Sequence, residues 1–124
     1  NPKILDDLVE ITGAKSIYWP LKLWCCGSPI LAIDKDLSLS IAGMKLKSAK
    51  EAEADCIVTI CPSCQIQFDT LQPEISKVTG EQYNMPVLLY PQLLGLALGF
   101  TPEEVGLHLN KISAESLLKL QSKA

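Results

Sequence analysis

The chain has 124 residues, 48% of them hydrophobic and 20% charged, with a formal net charge of −3. That length supports one domain with a real core, and the mild acidity argues against nucleic acid or an anionic membrane as partner, because both demand a basic surface. The longest apolar run, Met85 to Phe100, is interrupted by Pro86, Pro91, Gln92 and Gly95 and falls short of the ~20 residues of a spanning helix. No charged-then-apolar signal peptide opens the chain. It begins at Asn1 rather than Met, which leads us to expect that residues have been removed upstream.

Asn1-Pro2 reads as a helix start, with Asn capping and Pro at the first helical position. Ile4, Leu5, Leu8, Val9 and Ile11 follow at helical spacing, and Gly13 supplies the stop. Ser16 to Trp19 reads as a short strand ended by Pro20, followed by a loop carrying Trp24-Cys25-Cys26-Gly27. Asp36 begins a second helix with Leu37, Ile41 and Met44 on one face. Ser48-Ala49-Lys50-Glu51 has capping-box form, so a break and restart is expected there. Asp55 to Ile60 is the clearest strand, β-branched and apolar on both faces as a central parallel strand should be. Cys61-Pro62-Ser63-Cys64 joins it to a helix bearing Cys64, Phe68 and Leu71 that Pro73 ends or kinks. Pro86 to Tyr90 is a third strand, and Pro91 to Leu98 a helix stopped by Gly99. Thr101-Pro102-Glu103-Glu104 opens a short helix through His108, and Ser113 caps a last helix with Leu117, Leu118 and Leu120.

This alternation predicts an α/β fold: a parallel sheet of about four strands flanked by helices, with the first strand missing because the opening helix has none before it. In such sheets reactive groups collect beyond the carboxyl ends of the strands. Cys25 and Cys26 follow one strand, Cys61 and Cys64 another, and Gln92 the third, so two cysteine pairs converge on one edge.

Five cysteines is an odd count, and adjacent ones rarely bridge each other. The pattern points to metal or redox chemistry in a reducing compartment, with the cytoplasm expected. Cys61 and Cys64 flank a helix N-terminus, which lowers thiol pKa and favours negative charge. A lone C-x-x-C fits a thioredoxin-like dithiol or half of a zinc site equally. The vicinal Cys25-Cys26 pair is not needed by a dithiol enzyme. Two neighbouring thiolates also strain to chelate one tetrahedral zinc, while they can serve different metal atoms of a cluster. On residues alone, metal or cluster, dithiol and inert thiols all remain.

Other residues have plainer readings. Cys56 starts a buried strand as a small core residue. His108 lies away from the strand ends. Gln92 either donates to the site or caps its turn, and Gln65 faces the site or solvent. Trp19 and Trp24 pack beside the vicinal pair. Gly27 lets the backbone approach closely or take a positive φ. Asp6, Asp7 and the charges from Lys45 to Glu53 are solvated helix faces.

Cys25-Cys26-Gly27, followed by Cys61-Pro62-Ser63-Cys64-Gln65-x-x-Phe68-Asp69, resembles the cysteine-rich CCG domain of the heterodisulfide reductase B subunit family. Asn1-Pro2-Lys3-Ile4-Leu5-Asp6-Asp7-Leu8 and Gln92-Leu93-Leu94-Gly95-Leu96-Ala97-Leu98-Gly99 are similar to the same family, so the likeness spans nearly the whole chain. Related modules occur in E subunits of succinate or fumarate oxidoreductases and in glycolate oxidase iron–sulfur subunits. The resemblance implies a noncubane 4Fe-4S centre that binds and cleaves a disulfide substrate one electron at a time, within a multisubunit redox complex whose other subunits are its partners. That places the module in the cytoplasm, membrane-associated where its partner subunits are. It assigns Cys25, Cys26, Cys61 and Cys64 as ligands, with Gly27, Gln65 and Gln92 around them. Family subunits carry two such modules, and the leucine-rich ending marks residues 1–124 as one module from the C-terminal part of a larger subunit. The family motif has a further cysteine, ending a strand upstream of the opening helix, and these 124 residues lack it. Zinc is the alternative metal, since some relatives' C-terminal modules bind it in a structural or interaction role. A dithiol redox protein is the third reading.

Overall fold

The computed structural model describes residues 2–123. Helix α1 spans Ile4–Ile11 and α2 Lys35–Glu51; strand β1 is Ile57–Thr59. Next come α3 (Pro62–Gln65), a π-helical turn (Ile66–Thr70) that continues it and, after Leu71, α4 (Gln72–Thr79). Strand β2 is Val87–Leu89, followed by α5 (Tyr90–Ala97), a 3₁₀ turn at Leu107–Leu109 and α6 (Glu115–Gln121).

The strands pair in parallel, Ile57 opposite Val87 and Thr59 opposite Leu89. Their successive side chains point to opposite faces. Val87 enters a core with Leu39, Leu46, Phe68, Ile75 and Met85, whereas Leu88 joins Leu107 and Ala114 against Leu93, Leu96 and Leu117. The sheet is thus covered by helices on both sides, as expected of an α/β fold. Each fully buried leucine, such as Leu39 or Leu46, contributes roughly 1.5–3 kcal/mol.

Several expectations change. The sheet has two strands among the described residues, not four. Ser16–Trp19 has no regular secondary structure and pairs with no strand among the described residues. From Ala14 to Pro20 the one main-chain hydrogen bond is Lys22 N donating to Trp19 O at 3.2 Å. Ser16, Ile17 and Trp19 line a groove of about 340 Å³ together with Val58 and Thr59 of β1, so the segment borders the strand across open space without bonding to it. The β-branched and aromatic character is right for a strand, but no partner lies within bonding reach. Helix α2 does not break at Ser48: Leu46 and Ala49 are both buried on its packed face, and Ser48 Oγ instead accepts from Leu21 N at 3.4 Å. It starts one residue earlier than predicted, because Asp34 accepts from Leu37 N at 3.0 Å.

The Asn1 cap lies outside the described residues, and Pro2 precedes the helix, which begins at Ile4. The helical stretch from Pro62 stops at Thr70, and after Leu71 a new helix, α4, begins with Pro73 in its first turn, where its missing N–H costs nothing, so the expected interruption near Pro73 is present. The Thr101 capping box forms, Thr101 N donating to Glu104 Oε2 at 2.8 Å and Glu104 N to Thr101 Oγ1 at 3.2 Å. It leads into turns and the 3₁₀ segment rather than a helix. Asp6 is not idle, since its carboxylate accepts from Ser16 Oγ and Lys22 Nζ and so ties α1 to the following segment. No helix among the described residues is long and apolar enough to cross a membrane.

Candidate functional site

The vicinal pair sits in a loop that α2 shapes. Gly27 adopts φ +87°, and a Cβ there would stand 2.7 Å from Ser38 O, so the left-handed backbone and the close approach are both present. Ser38 Oγ donates to Gly27 O at 2.8 Å and receives Gln67 Nε2 at 2.9 Å, fixing the loop from below. Within it, Gly27 N donates to Cys25 Sγ at 3.4 Å and Ser28 N to Cys26 Sγ at 3.5 Å. Cys25 is exposed and Cys26 buried.

The second pair follows β1. Cys61 caps α3 with extended backbone, and Pro62 occupies the first turn. The main-chain N–H groups of Cys64 and Ser63 hold the Cys61 thiol below its ordinary pKa. Burial pushes the Cys64 thiol up, reinforced by Cys26, whose sulfur lies 3.4 Å away. Cys26 and Cys64, 38 positions apart, therefore touch across the sheet edge, with Cys61 beside Cys64 on the same turn. No group of three or more Cys, His, Asp or Glu among the described residues stands in a finished metal-holding arrangement. The donor set nevertheless suits a thiophilic metal: soft sulfurs, Cys26 and Cys64 in contact beyond the end of β1, with main-chain N–H groups turned toward them.

The residues expected around the cysteines behave differently from one another. Gln65 is not solvated: its Nε2 donates to Val87 O at 2.8 Å and its Oε1 accepts from Thr59 Oγ1 at 3.1 Å, pinning α3 to both strands. Gln92 caps α5, its Oε1 accepting from Leu89 N at 3.1 Å, while its Nε2 reaches Val105 O and Asn110 Oδ1. None of these bonds involves a cysteine. Cys56 stands just ahead of β1, five residues from Cys61, which at ~3.3 Å per residue is ~16 Å along the strand. Burial raises its pKa to about 11, with Asp55 adding to the effect. His108 is exposed on the 3₁₀ turn. Trp19 is half-buried against the core, and Trp24 is 59% exposed.

Two features are not foreseen from the sequence. Asp69 is buried and accepts from Lys111 N at 2.7 Å and Ile112 N at 2.9 Å, anchoring the C-terminal segment. Lys45 is only 6% exposed, not on a solvated face; its place in the apolar phase of α2, between Ala42 and Ala49, was the available signal.

A family model described as "Cysteine-rich domain" (CCG) matches residues 1–69, which include all four motif cysteines. The B subunit of the ferredoxin:CoB-CoM heterodisulfide reductase of Methanosarcina mazei is 42% identical over 123 residues, covering 97% of this chain and 41% of that protein. The 8-methylmenaquinol:fumarate reductase membrane anchor subunit of Wolinella succinogenes is 34% identical over 117 residues, covering 94% of this chain and 41% of that one. The chain thus spans about two fifths of these relatives' length. The crystal structure of a hypothetical protein from Helicobacter pylori superposes with a TM-score of 0.73 over 80% of this chain and 20% of its own, at 19% identity, a likeness of fold. With the motif cysteines, the two-sided parallel sheet and the family match over more than half its length in agreement, the chain belongs to the cysteine-rich CCG domain family.

Proposed function

We propose that this chain is a metal-binding module of a heterodisulfide-reductase-like oxidoreductase subunit, with Cys25, Cys26, Cys61 and Cys64 as ligands of an iron–sulfur cluster. One observation carries the reading: Cys26 Sγ and Cys64 Sγ meet at 3.4 Å although one lies in the vicinal loop and the other on α3. A cluster in that place supplies one-electron transfer to a bound disulfide. The chain's own residues do the rest. Gly27 and Ser38 set the Cys25–Cys26 loop; Cys61, held low in pKa by main-chain N–H groups, offers a thiolate; Gln65 fixes α3 against the strands. The active protein is then a larger subunit of a multisubunit redox complex in the cytoplasm or at a membrane held by its partners, and these 124 residues alone are inactive.

Zinc is the second reading, favoured by the four motif thiols, the number of ligands a structural zinc takes. Anaerobic reconstitution with iron and sulfide, with zinc competing, tests both. We expect sulfide and iron to be bound by the full subunit with visible charge-transfer absorption, while zinc gives none. Serine at any of the four ligand cysteines should cut metal content sharply, because a hydroxyl replaces a soft thiolate poorly, and Cys56→Ser should retain it. Equal loss for Cys56→Ser refutes the ligand set, and zinc without sulfide in the full subunit refutes the cluster.

A further inference from the structure

Lys45 is a buried cation with no carboxylate partner among the described residues. Its ammonium donates to Trp24 O at 2.5 Å and Lys22 O at 3.1 Å, and lies 5.2 Å from the Trp19 ring centre and 5.7 Å from that of Phe68. Carbonyls and aromatic faces soften the desolvation of an ammonium but do not neutralise it. Burial accordingly pulls its pKa down, while Cys26, Cys64 and Cys25 push it back up. Lys45 lines the same groove as Cys61 and Cys64. It also grips the vicinal loop itself: Trp24 O, held by Lys45, and Gly27 O, held by Ser38, bracket Cys25 and Cys26. Ser38 and Lys45 are seven residues apart on α2, two turns on one face.

If Lys45 served only to fill space, an apolar side chain of similar length would do so without burying a charge. An ammonium becomes favourable once negative charge collects beside it. A divalent ion held by four thiolates carries a net charge of −2, and thiolate-bound clusters are likewise anionic. We propose that Lys45 is the built-in counter-cation of the cysteine site, a positioning residue that strengthens metal binding by offsetting the charge of the thiolates. The proposal rests on the metal-site reading above.

Cobalt(II) is the probe, because thiolate ligation gives it visible charge-transfer bands and its affinity can be titrated. The full subunit is compared as wild type, Lys45→Arg, Lys45→Met and Lys45→Gln, anaerobically and at one pH, reading the bands that Cys61→Ser abolishes. Loss of an interaction just outside the ligands costs ~10–100-fold in metal affinity, and we expect that loss in both neutral variants. Arg should restore most of it. Thermal melts of the metal-free proteins supply a separate readout, the neutral variants staying folded because removal of the buried charge offsets the lost bonds to Trp24 O and Lys22 O. Unchanged cobalt affinity in Met and Gln overturns the proposal. So does equal weakening by Arg, or unfolding of both metal-free neutral variants, since each makes Lys45 a structural brace. Absence of thiolate–cobalt bands in the wild type overturns the metal-site reading first, and the proposal with it.

Discussion

Replacing Gly27 with alanine attacks the cysteine site through the backbone alone. The residue sits at φ +87°, and a non-glycine residue in the left-handed region costs ~1–2 kcal/mol. The added methyl would also stand 2.7 Å from Ser38 O and 3.2 Å from Ile41 Cβ. Both belong to α2, which is anchored by the main core, so the contact is relieved only by moving the loop. Forcing a methyl into such a site costs a further ~1–3 kcal/mol. The sum is roughly 2–5 kcal/mol, which at a urea slope of ~2 kcal/mol/M lowers the unfolding midpoint by roughly 1–2.5 M. Trp19 and Trp24 report the transition by fluorescence. Gly13→Ala is the internal control, with φ +90° and nothing within 4 Å of the new methyl, so it should lose only the conformational part, ~1–2 kcal/mol. Equal losses at the two glycines would refute the claim that the close approach to α2 shapes the loop.

Two further predictions follow from buried polar groups. Gln72→Leu should destabilise by ~2–4 kcal/mol, measured by the same unfolding assay, because it strands Met85 N and Met85 O, both paired to the Gln72 amide at 2.9 Å, and frees Phe68 O. Alkylation of the metal-free protein should proceed at Cys61 well before Cys56, since the nucleophile is the thiolate and Cys56 ionises only near pH 11. Mass mapping after brief iodoacetamide exposure from pH 7 to 9 checks the order, and modification of Cys56 first would contradict it.

The cysteine constellation was legible because it is local chemistry attached to clear elements. β1 and the turn into α3 are marked by Ile57-Val58-Thr59 running into Cys61-Pro62, and the family likeness spans them. Ser16–Trp19 misleads because strand formation depends on a neighbour, and no propensity in those four residues reveals the groove beside them. The capping-box form at Ser48 misleads for a related reason: burial of Leu46 and Ala49 on the same face outweighs a local cap. Lys45, Gln65 and Asp69 were invisible as structural groups since each is a polar side chain on a helix, where solvent is the ordinary destination. Only the tertiary arrangement supplies their carbonyl and amide partners.

The π-helical turn at Ile66–Thr70 sets how the chain tolerates length changes. It seats one more residue than an α-turn would, and through it Gln67, Phe68 and Asp69, three in succession, are all buried. Deleting one residue there would draw the turn back to α-geometry and leave the helices on either side near their present phase, whereas inserting one more would rotate everything beyond it by ~100°. The face bearing Cys61 and Cys64 would then lose phase with the face bearing Gln72 and Ile75, which are 1% and 0% exposed. Thr70, exposed on the outer side, can change identity freely. The spacing from Cys64 to Gln72 therefore tolerates the loss of one residue in phase but not the gain of one.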